Sequence, residues 1–431
     1  MKISIFGTGY VGLVTGVCLA EIGNDVVCFD IDKSKIKKLK KGEIPFFEPE
    51  IKELIERNLE QGKISFTLNS KDAVRNQEII FIAVGTPQKK NGEADLSYVK
   101  SAAREIGKNF EKYVVVVNKS TVPIGTGNLV EKIIKKKYKG DFDIASNPEF
   151  LREGSAVFDF MNPERIIIGT KSERSKKIIN NLYKSFSCPV INTKIETAEM
   201  IKYASNAYLA TKISFINEIA NVCEKVGANV DEVSYAMGLD SRIGNKFLNA
   251  GIGYGGSCFP KDVKALHNIA SCKHYNFKLL ESVIRVNNNQ RMLFVKKTEK
   301  LLGNLKKKKI CVWGLSFKPN TDDTRESAAI DVIKLFQKKG ATINAYDPKA
   351  DYEKLKREKV FRDKINYFDD KYDALKDCQA LVIATEWNEF KAADLTEIKK
   401  LLEKPNIIDG RNIFDLDKIN KNGFNYISIG R

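Results

Sequence analysis

The sequence predicts an α/β chain with two doubly wound parallel sheets, joined by one long helix and a mostly helical middle segment. Three observations carry this expectation. Short β-branched apolar runs alternate with amphipathic stretches from the start; an unbroken helical pattern free of Gly and Pro occupies residues 195–226; and a second alternating series opens near residue 310. Strands alternating with helices imply a parallel sheet covered on both faces.

At 431 residues the chain exceeds the size at which a single core keeps growing, so two or three domains are expected. Hydrophobic residues make up 43% and charged residues 29%, a balance that builds packed cores rather than disorder. In the first series the expected strands lie at 3–6, 26–29, 79–84, 114–117 and 143–145. The helix over 195–226 is stopped by Gly227, and its length, ~45 Å at 1.5 Å per residue, suits a bridge between domains and the core of a dimer. A helical middle follows to about residue 302, and the second series has strands at 310–313, 342–346, 380–384 and 407–409. The expected domains are therefore 1–195, 196–302 and 303–431. No repeat of solenoid or propeller period is present.

A net charge of +17 raises the question of nucleic acid. The lysines are spread along the chain, however, and the local runs at 135–137 and 306–309 have no interleaved aromatics to stack on bases. A basic field of this kind suits a small anionic substrate better. The eight cysteines include no C-x-x-C pair and none beside a histidine, which argues against a metal site or a disulfide framework and for a reducing, cytoplasmic setting. The apolar run from Lys2 to Ala20 resembles a signal peptide only until its glycines are noticed, and no other stretch has the length of a membrane helix. Of the two histidines, His267 lies in a helical stretch and reads as structural, so a histidine general base is not expected.

After the first strand comes Gly7-Thr8-Gly9-Tyr10-Val11-Gly12, a G-x-G-x-x-G turn that brings backbone amides and a helix N-terminus to a pyrophosphate. The motif alone is weak, but here a helix follows, Gly23 caps it, and a second strand ends at Asp30. An acid at that place accepts a ribose 2′-hydroxyl and repels a 2′-phosphate, so NAD is expected over NADP, with Lys33 and Lys35 as the contrary signal. Gly85-Thr86-Pro87 and Ser120-Thr121-Val122-Pro123 directly follow two further strands, at the carboxyl ends where open α/β sheets bind ligands.

The segment Gly251-Ile-Gly-Tyr-Gly-Gly-Ser-Cys-Phe-Pro-Lys-Asp262 is a glycine loop able to approach a ligand closely. Pro260 suits the first turn of a helix, which sets Cys258 at a helix N-terminus beside Lys261, the surroundings that make a thiol reactive. The other seven cysteines read as inert packing residues. Lys202 and Asn206 stand one turn apart on the long helix and share a face, and Asn147-Pro-Glu149-Phe-Leu-Arg-Glu153-Gly offers two carboxylates after a strand. On spacing alone each of these is as readily a surface feature as a site.

GTGYVG, GTP, STVPIGT, NPEFLREG, the Lys202/Asn206 pair, Arg242-Ile-Gly-Asn-Lys-Phe, GYGGSCFPKD and Phe317-Lys318-Pro-Asn-Thr-Asp-Asp-Thr-Arg325-Glu-Ser follow one another in the order of the UDP-glucose/GDP-mannose dehydrogenase family, which the whole chain resembles. The resemblance implies two Rossmann-like domains and NAD⁺-dependent oxidation of the 6-hydroxymethyl group of a UDP-sugar to a carboxylate, with UDP-glucose as the expected substrate. It implies that Thr121 and Asp262 hold a water that takes the alcohol proton, that Cys258 attacks the aldehyde, that Lys202 and Asn206 stabilise the oxyanion, and that Glu149 activates the water that releases the acid. It further implies that Tyr10, Val11, Lys35, Thr86, Ser120, Glu153, Lys261 and Arg325 join the glycines and Asp30 at NAD. By the same likeness Phe150, Leu151, Arg152, Asn249, Gly251, Gly253, Tyr254, Gly255, Phe317, Lys318 and Arg411 hold the UDP-sugar, and Arg242 reaches in from a second subunit of a homodimer. Lys35 stands where some members have Arg, and Tyr254 where others have Phe. The competing readings are a dehydrogenase of a UDP-N-acetylhexosamine or of GDP-mannose, and, from other classes, a nucleotide-binding regulator without catalysis or a nucleic-acid binder.

Overall fold

The computed structural model describes residues 1–89, 92–361 and 365–431. By internal contacts these divide into two compact units, Met1–Ser205 and Asn206–Arg431.

The first unit is built on one eight-stranded sheet: β1 (Lys2–Phe6), β2 (Asp25–Phe29), β3 (Ile64–Thr67), β4 (Ile79–Ile82), β5 (Val115–Asn118), β6 (Asp143–Ser146), β7 (Ile166–Thr170) and β8 (Val190–Thr193). Its order is β3-β2-β1-β4-β5-β6-β7-β8, parallel throughout except where β6 meets β7. The winding reverses between β1 and β4, which leaves a crevice at their carboxyl ends. The central strands read as continuous apolar runs because both their faces are covered. Ile79, Phe81, Val115 and Val117 pack into one layer, while Ile80, Ile82 and Val116 pack into the other.

The second unit repeats the plan with six parallel strands: β9 (Lys309–Trp313), β10 (Thr342–Tyr346), β11 (Asn366–Tyr367), β12 (Ala380–Ile383), β13 (Asn406–Asp409) and β14 (Asn425–Ile427). Their order, β11-β10-β9-β12-β13-β14, matches that of the first six strands of the other sheet. Ile310, Val312 and Val382 face one layer; Cys311, Trp313, Leu381 and Ile383 face the other. The fold class is thus the expected one. The strands not expected, β3, β7, β8, β11 and β14, are mostly the short outer ones.

The helix Ile195–Val226 begins in the first unit and ends in the second. Gly227 stops it at φ +74°, a conformation that costs an L side chain strain, and the Ala228 amide closes the end on Cys223 O at 3.0 Å. Helices Val230–Gly238, Phe259–Cys272 and Lys278–Leu302 form the helical middle. No helix among the described residues is long and apolar enough to cross a membrane.

Candidate active site

The first unit gathers its candidates along the carboxyl edge of the sheet. Gly7 follows β1, Asp30 follows β2, Thr86 follows β4, Ser120 and Thr121 follow β5, and Glu149 follows β6. The glycine turn differs position by position. A Cβ on Gly12 would meet Gly7 O at 1.9 Å, so only glycine lets the helix Tyr10–Glu21 seat against the strand. At Gly9 nothing lies within 4 Å of such a Cβ. That open side, at a helix N-terminus, is the space a pyrophosphate needs, so the residues fit a dinucleotide.

Asp30 faces this turn. Its Oδ2 accepts from the Thr8 amide (2.8 Å), the Thr8 hydroxyl (2.7 Å) and Lys35 Nζ (3.2 Å). Among the described residues Oδ1 accepts only from the Asp32 amide, at 3.1 Å, which leaves room for a ribose hydroxyl. Burial pushes the carboxyl up, but the bonds from Thr8 and Asp32 and the charge of Lys35 outweigh it and hold Asp30 below the ordinary range. Lys35 is therefore occupied by the acid. Thr86 donates to Thr121 O at 2.9 Å and Ser120 to Val84 O at 2.7 Å, which ties the two loops together.

Glu149 is buried and pairs with Lys202 Nζ at 2.8 Å, both side chains being 5% exposed. Its Oε2 also accepts from the Leu151 amide at 2.6 Å. The Phe150 ring lies 5.4 Å from Lys202 Nζ and 3.9 Å from the Arg165 guanidinium carbon. Arg152 is exposed and held by Asp159. A residue the motifs did not suggest organises this loop. Glu48 accepts from the Tyr10 hydroxyl and, at 2.6 Å each, from the Gly154 and Ala156 amides, so the glycine turn and the acidic loop share one anchor. Glu153 lies close enough to act on the Tyr10 phenol, which burial and Glu48 push up.

In the second unit Cys258 is the N-cap of the helix Phe259–Cys272, with Pro260 in the first turn and the thiol exposed. The Ser257 hydroxyl lies 3.7 Å from its sulfur. One turn on, buried Asp262 pairs with Lys261 and accepts from Asn206 Nδ2 at 2.7 Å. The preceding glycine loop is held by amide side chains. Asn217 accepts from the Gly251 amide (2.8 Å), Gln290 donates to Gly251 O (3.0 Å), and Asn287 accepts from the Tyr254 amide (2.8 Å). Arg411 reaches this loop at Gly253 O (3.3 Å), and the Phe317 ring packs 2.6 Å from where a Gly256 Cβ would stand. Lys318 Nζ lies 5.7 Å from the Phe317 ring. Cys258, Asp262, Asn206, residues 251–255, Phe317 and Arg411 thus stand in one contact network. Arg242, Arg325 and Asn249 are exposed, the two arginines being bound to Asp240 and Asp323.

A glycine turn shaped for a pyrophosphate, opposite an acid placed for a ribose, makes this chain one of the NAD-dependent dehydrogenases. Comparison narrows the class: residues 1–187 match the NAD binding domain of the UDP-glucose/GDP-mannose dehydrogenase family, 196–289 its central domain and 311–416 its UDP binding domain. The chain belongs to this family. It is 53% identical to the UDP-glucose 6-dehydrogenase TuaD of Bacillus subtilis (strain 168), an alignment covering all of this chain and 93% of that protein. It is 48% identical to the UDP-glucose 6-dehydrogenase of Rhizobium meliloti (strain 1021), with full coverage of both. Among solved structures it resembles a UDP-glucose dehydrogenase from Pyrobaculum islandicum, with TM-score 0.92, 38% identity and coverage of 99% and 96%. It also resembles a UDP-D-ManNAc dehydrogenase from Pyrococcus horikoshii, with TM-score 0.89, 29% identity and coverage of 100% and 99%.

Proposed function

We propose that this chain oxidises UDP-glucose to UDP-glucuronate in two NAD⁺-dependent steps through a covalent bond to Cys258. The observation that carries the reading is the exposed thiol at a helix N-cap, one turn from the buried Asn206–Asp262 pair. A helix N-terminus favours thiolate over thiol. The names of the relatives support the substrate, since proteins 53% and 48% identical to this chain are named UDP-glucose 6-dehydrogenase. The proposed division of labour is NAD binding by 1–195, dimerisation by 196–302 and UDP-sugar binding by 303–431, in a cytoplasmic homodimer.

Gly7, Gly9, Gly12 and Asp30 would hold two NAD⁺ molecules in succession, and each would accept one hydride, one for each oxidation. Thr121 and Asp262 hold the water that takes the alcohol proton. The Cys258 thiolate then adds to the aldehyde carbon, and Lys202 and Asn206 donate to the oxygen that becomes negative. Loss of a second hydride leaves a thioester. Glu149 takes a proton from water, whose oxygen attacks the acyl carbon, and the C–S bond breaks to return the thiolate. Covalent capture divides one hard oxidation and hydration into easier steps.

Glu149→Gln is the test, because an amide cannot take the water's proton. The variant should release close to two NADH per site in a burst and then turn over about 10²- to 10⁴-fold more slowly, the worth of a general base. Intact-protein mass spectrometry should find the UDP-sugar acyl group on Cys258, and Cys258→Ala should abolish it. Steady turnover at the wild-type rate without an adduct would dismiss the role of Glu149 and point to Glu153. Running UDP-GlcNAc, UDP-ManNAc and GDP-mannose beside UDP-glucose decides the sugar.

A further inference from the structure

The reaction proposed above gives no role to the buried cation Lys119. Lys119 directly follows β5 and is 6% exposed. Among the described residues its ammonium donates one hydrogen bond, to Asn147 Oδ1 at 2.8 Å. The same oxygen accepts from the Tyr183 hydroxyl at 2.7 Å, while Asn147 Nδ2 donates to Ile167 O at 2.8 Å. The amide is thereby locked with its oxygen toward the lysine. Among the described residues no carboxylate comes within ion-pair distance of Lys119; the acid that acts on it is Glu149, already paired with Lys202. One carboxylate therefore acts on two buried ammonium groups but is bonded to Lys202 alone. A core ammonium lacking an ion-pair partner is destabilising, and a methionine of similar length would be cheaper there. The charge needs a reason beyond packing.

Chemistry supplies one. Lys202 is bound to Glu149 in this structure, yet in the proposed reaction it must turn to the oxygen that becomes negative when the thiolate adds. That movement would strand a buried carboxylate in a medium of low dielectric. We propose that Lys119 is a positioning residue that acts as the stand-by counter-ion of Glu149, so that Lys202 can move to the oxyanion without leaving Glu149 unpaired. The groups that face Lys119 are Glu149 from the loop after β6, Lys202 from the long helix, and Tyr183 and Asn147 as dipoles. Burial draws the Lys119 ammonium down to about 8, Glu149 opposing the change and Lys202 adding to it. A neutral amine cannot replace a cation, so the function lapses as pH rises through that value.

Lys119→Met and Lys119→Arg test the idea with UDP-glucose under saturating NAD⁺. Lys119→Met should lower kcat at pH 7 by roughly 10- to 100-fold, somewhat less than the loss of a directly bonded oxyanion donor. KM for both substrates should stay within about threefold, since the residue touches neither. Wild-type kcat should fall as pH passes about 8, Lys119→Met should lack that fall, and Lys119→Arg should keep the neutral rate and move the fall upward. A Lys119→Met kcat within about twofold of wild type overturns the proposal. If that variant loses its wild-type circular dichroism, Lys119→Arg decides, and an alkaline limb identical to wild type overturns the proposal. The underlying reaction is judged separately. Absence of the Cys258 adduct in Glu149→Gln removes both ideas, whereas an adduct together with an indifferent Lys119→Met removes only the counter-ion.

Discussion

At Asp30, three donors converge on one carboxylate oxygen and leave the other with a single amide, so the residue shapes the glycine turn and keeps an oxygen for the proposed ribose hydroxyl. Asp30→Ala should cut kcat/KM for NAD⁺ by roughly 10- to 100-fold, the value of a hydrogen bond to a charged group. It should also free Lys35 to meet a 2′-phosphate, so NADP⁺ should lose less or gain. An NAD/NADP ratio unchanged in steady-state kinetics would take Asp30 out of the site. Such residues were legible because turn, strand and acid lie close together in the chain, and Cys258 was legible because glycines and Pro260 surround it. Lys119 and Glu48 were not. Their burial depends on partners 28 and more than 100 positions away, and a lysine beside Ser120 and Thr121 looks like any solvated one.

Elements are joined by caps that resist the usual titration of acids. Glu199, in the second turn of the long helix, accepts from the Gly125 amide (2.6 Å) and the Gly127 amide (2.8 Å) at the start of the helix Thr126–Lys135. Burial pushes its carboxyl up to about 7 even though the two amides pull the other way. The folded value lies above the unfolded one, so the native state binds the extra proton and stability declines as pH rises from about 4.5 to about 7. At 1.36 kcal/mol per unit the decline is at most about 3–4 kcal/mol. Glu199→Gln, which stays neutral, should lower Tm at pH 5 and lower it less, or not at all, at pH 8. A Tm difference independent of pH, measured by calorimetry, would show that Glu199 does not titrate in this range. The long helix and the strands β1, β4, β5, β9 and β12 were legible because apolar runs and freedom from Gly and Pro survive in one sequence. By contrast β8, none of whose residues is fully buried, and the two-residue β11 bury too little to leave a pattern, and pairing with neighbours makes them strands.

For the molecule as a whole, Tyr208, Phe215 and Val222 recur at heptad spacing on the long helix and are 63%, 49% and 54% exposed, with Tyr235 and Leu239 also bare. An apolar stripe of this length on one helix is the kind that associates. Phe215→Asp should convert the proposed homodimer to monomer in sedimentation velocity, and an unchanged sedimentation coefficient would move the interface elsewhere. Mixed Arg242→Ala and Cys258→Ala chains should recover part of the activity each lacks alone, whereas silence after proven subunit exchange would confine the site to one chain. The passage of one helix from the first unit into the second also bears on biosynthesis. When residue 194 has left the ribosome every strand of the first sheet has been made, yet the Gly125 and Gly127 amides and Glu149 still await Glu199 and Lys202. The nascent N-terminal half is therefore expected to ripen only a few codons later, as a helix that it shares with its successor emerges. A fragment ending at Ser205 should resist limited proteolysis where one ending at 194 is digested, and equal resistance would mean that the sheet matures without its borrowed turns.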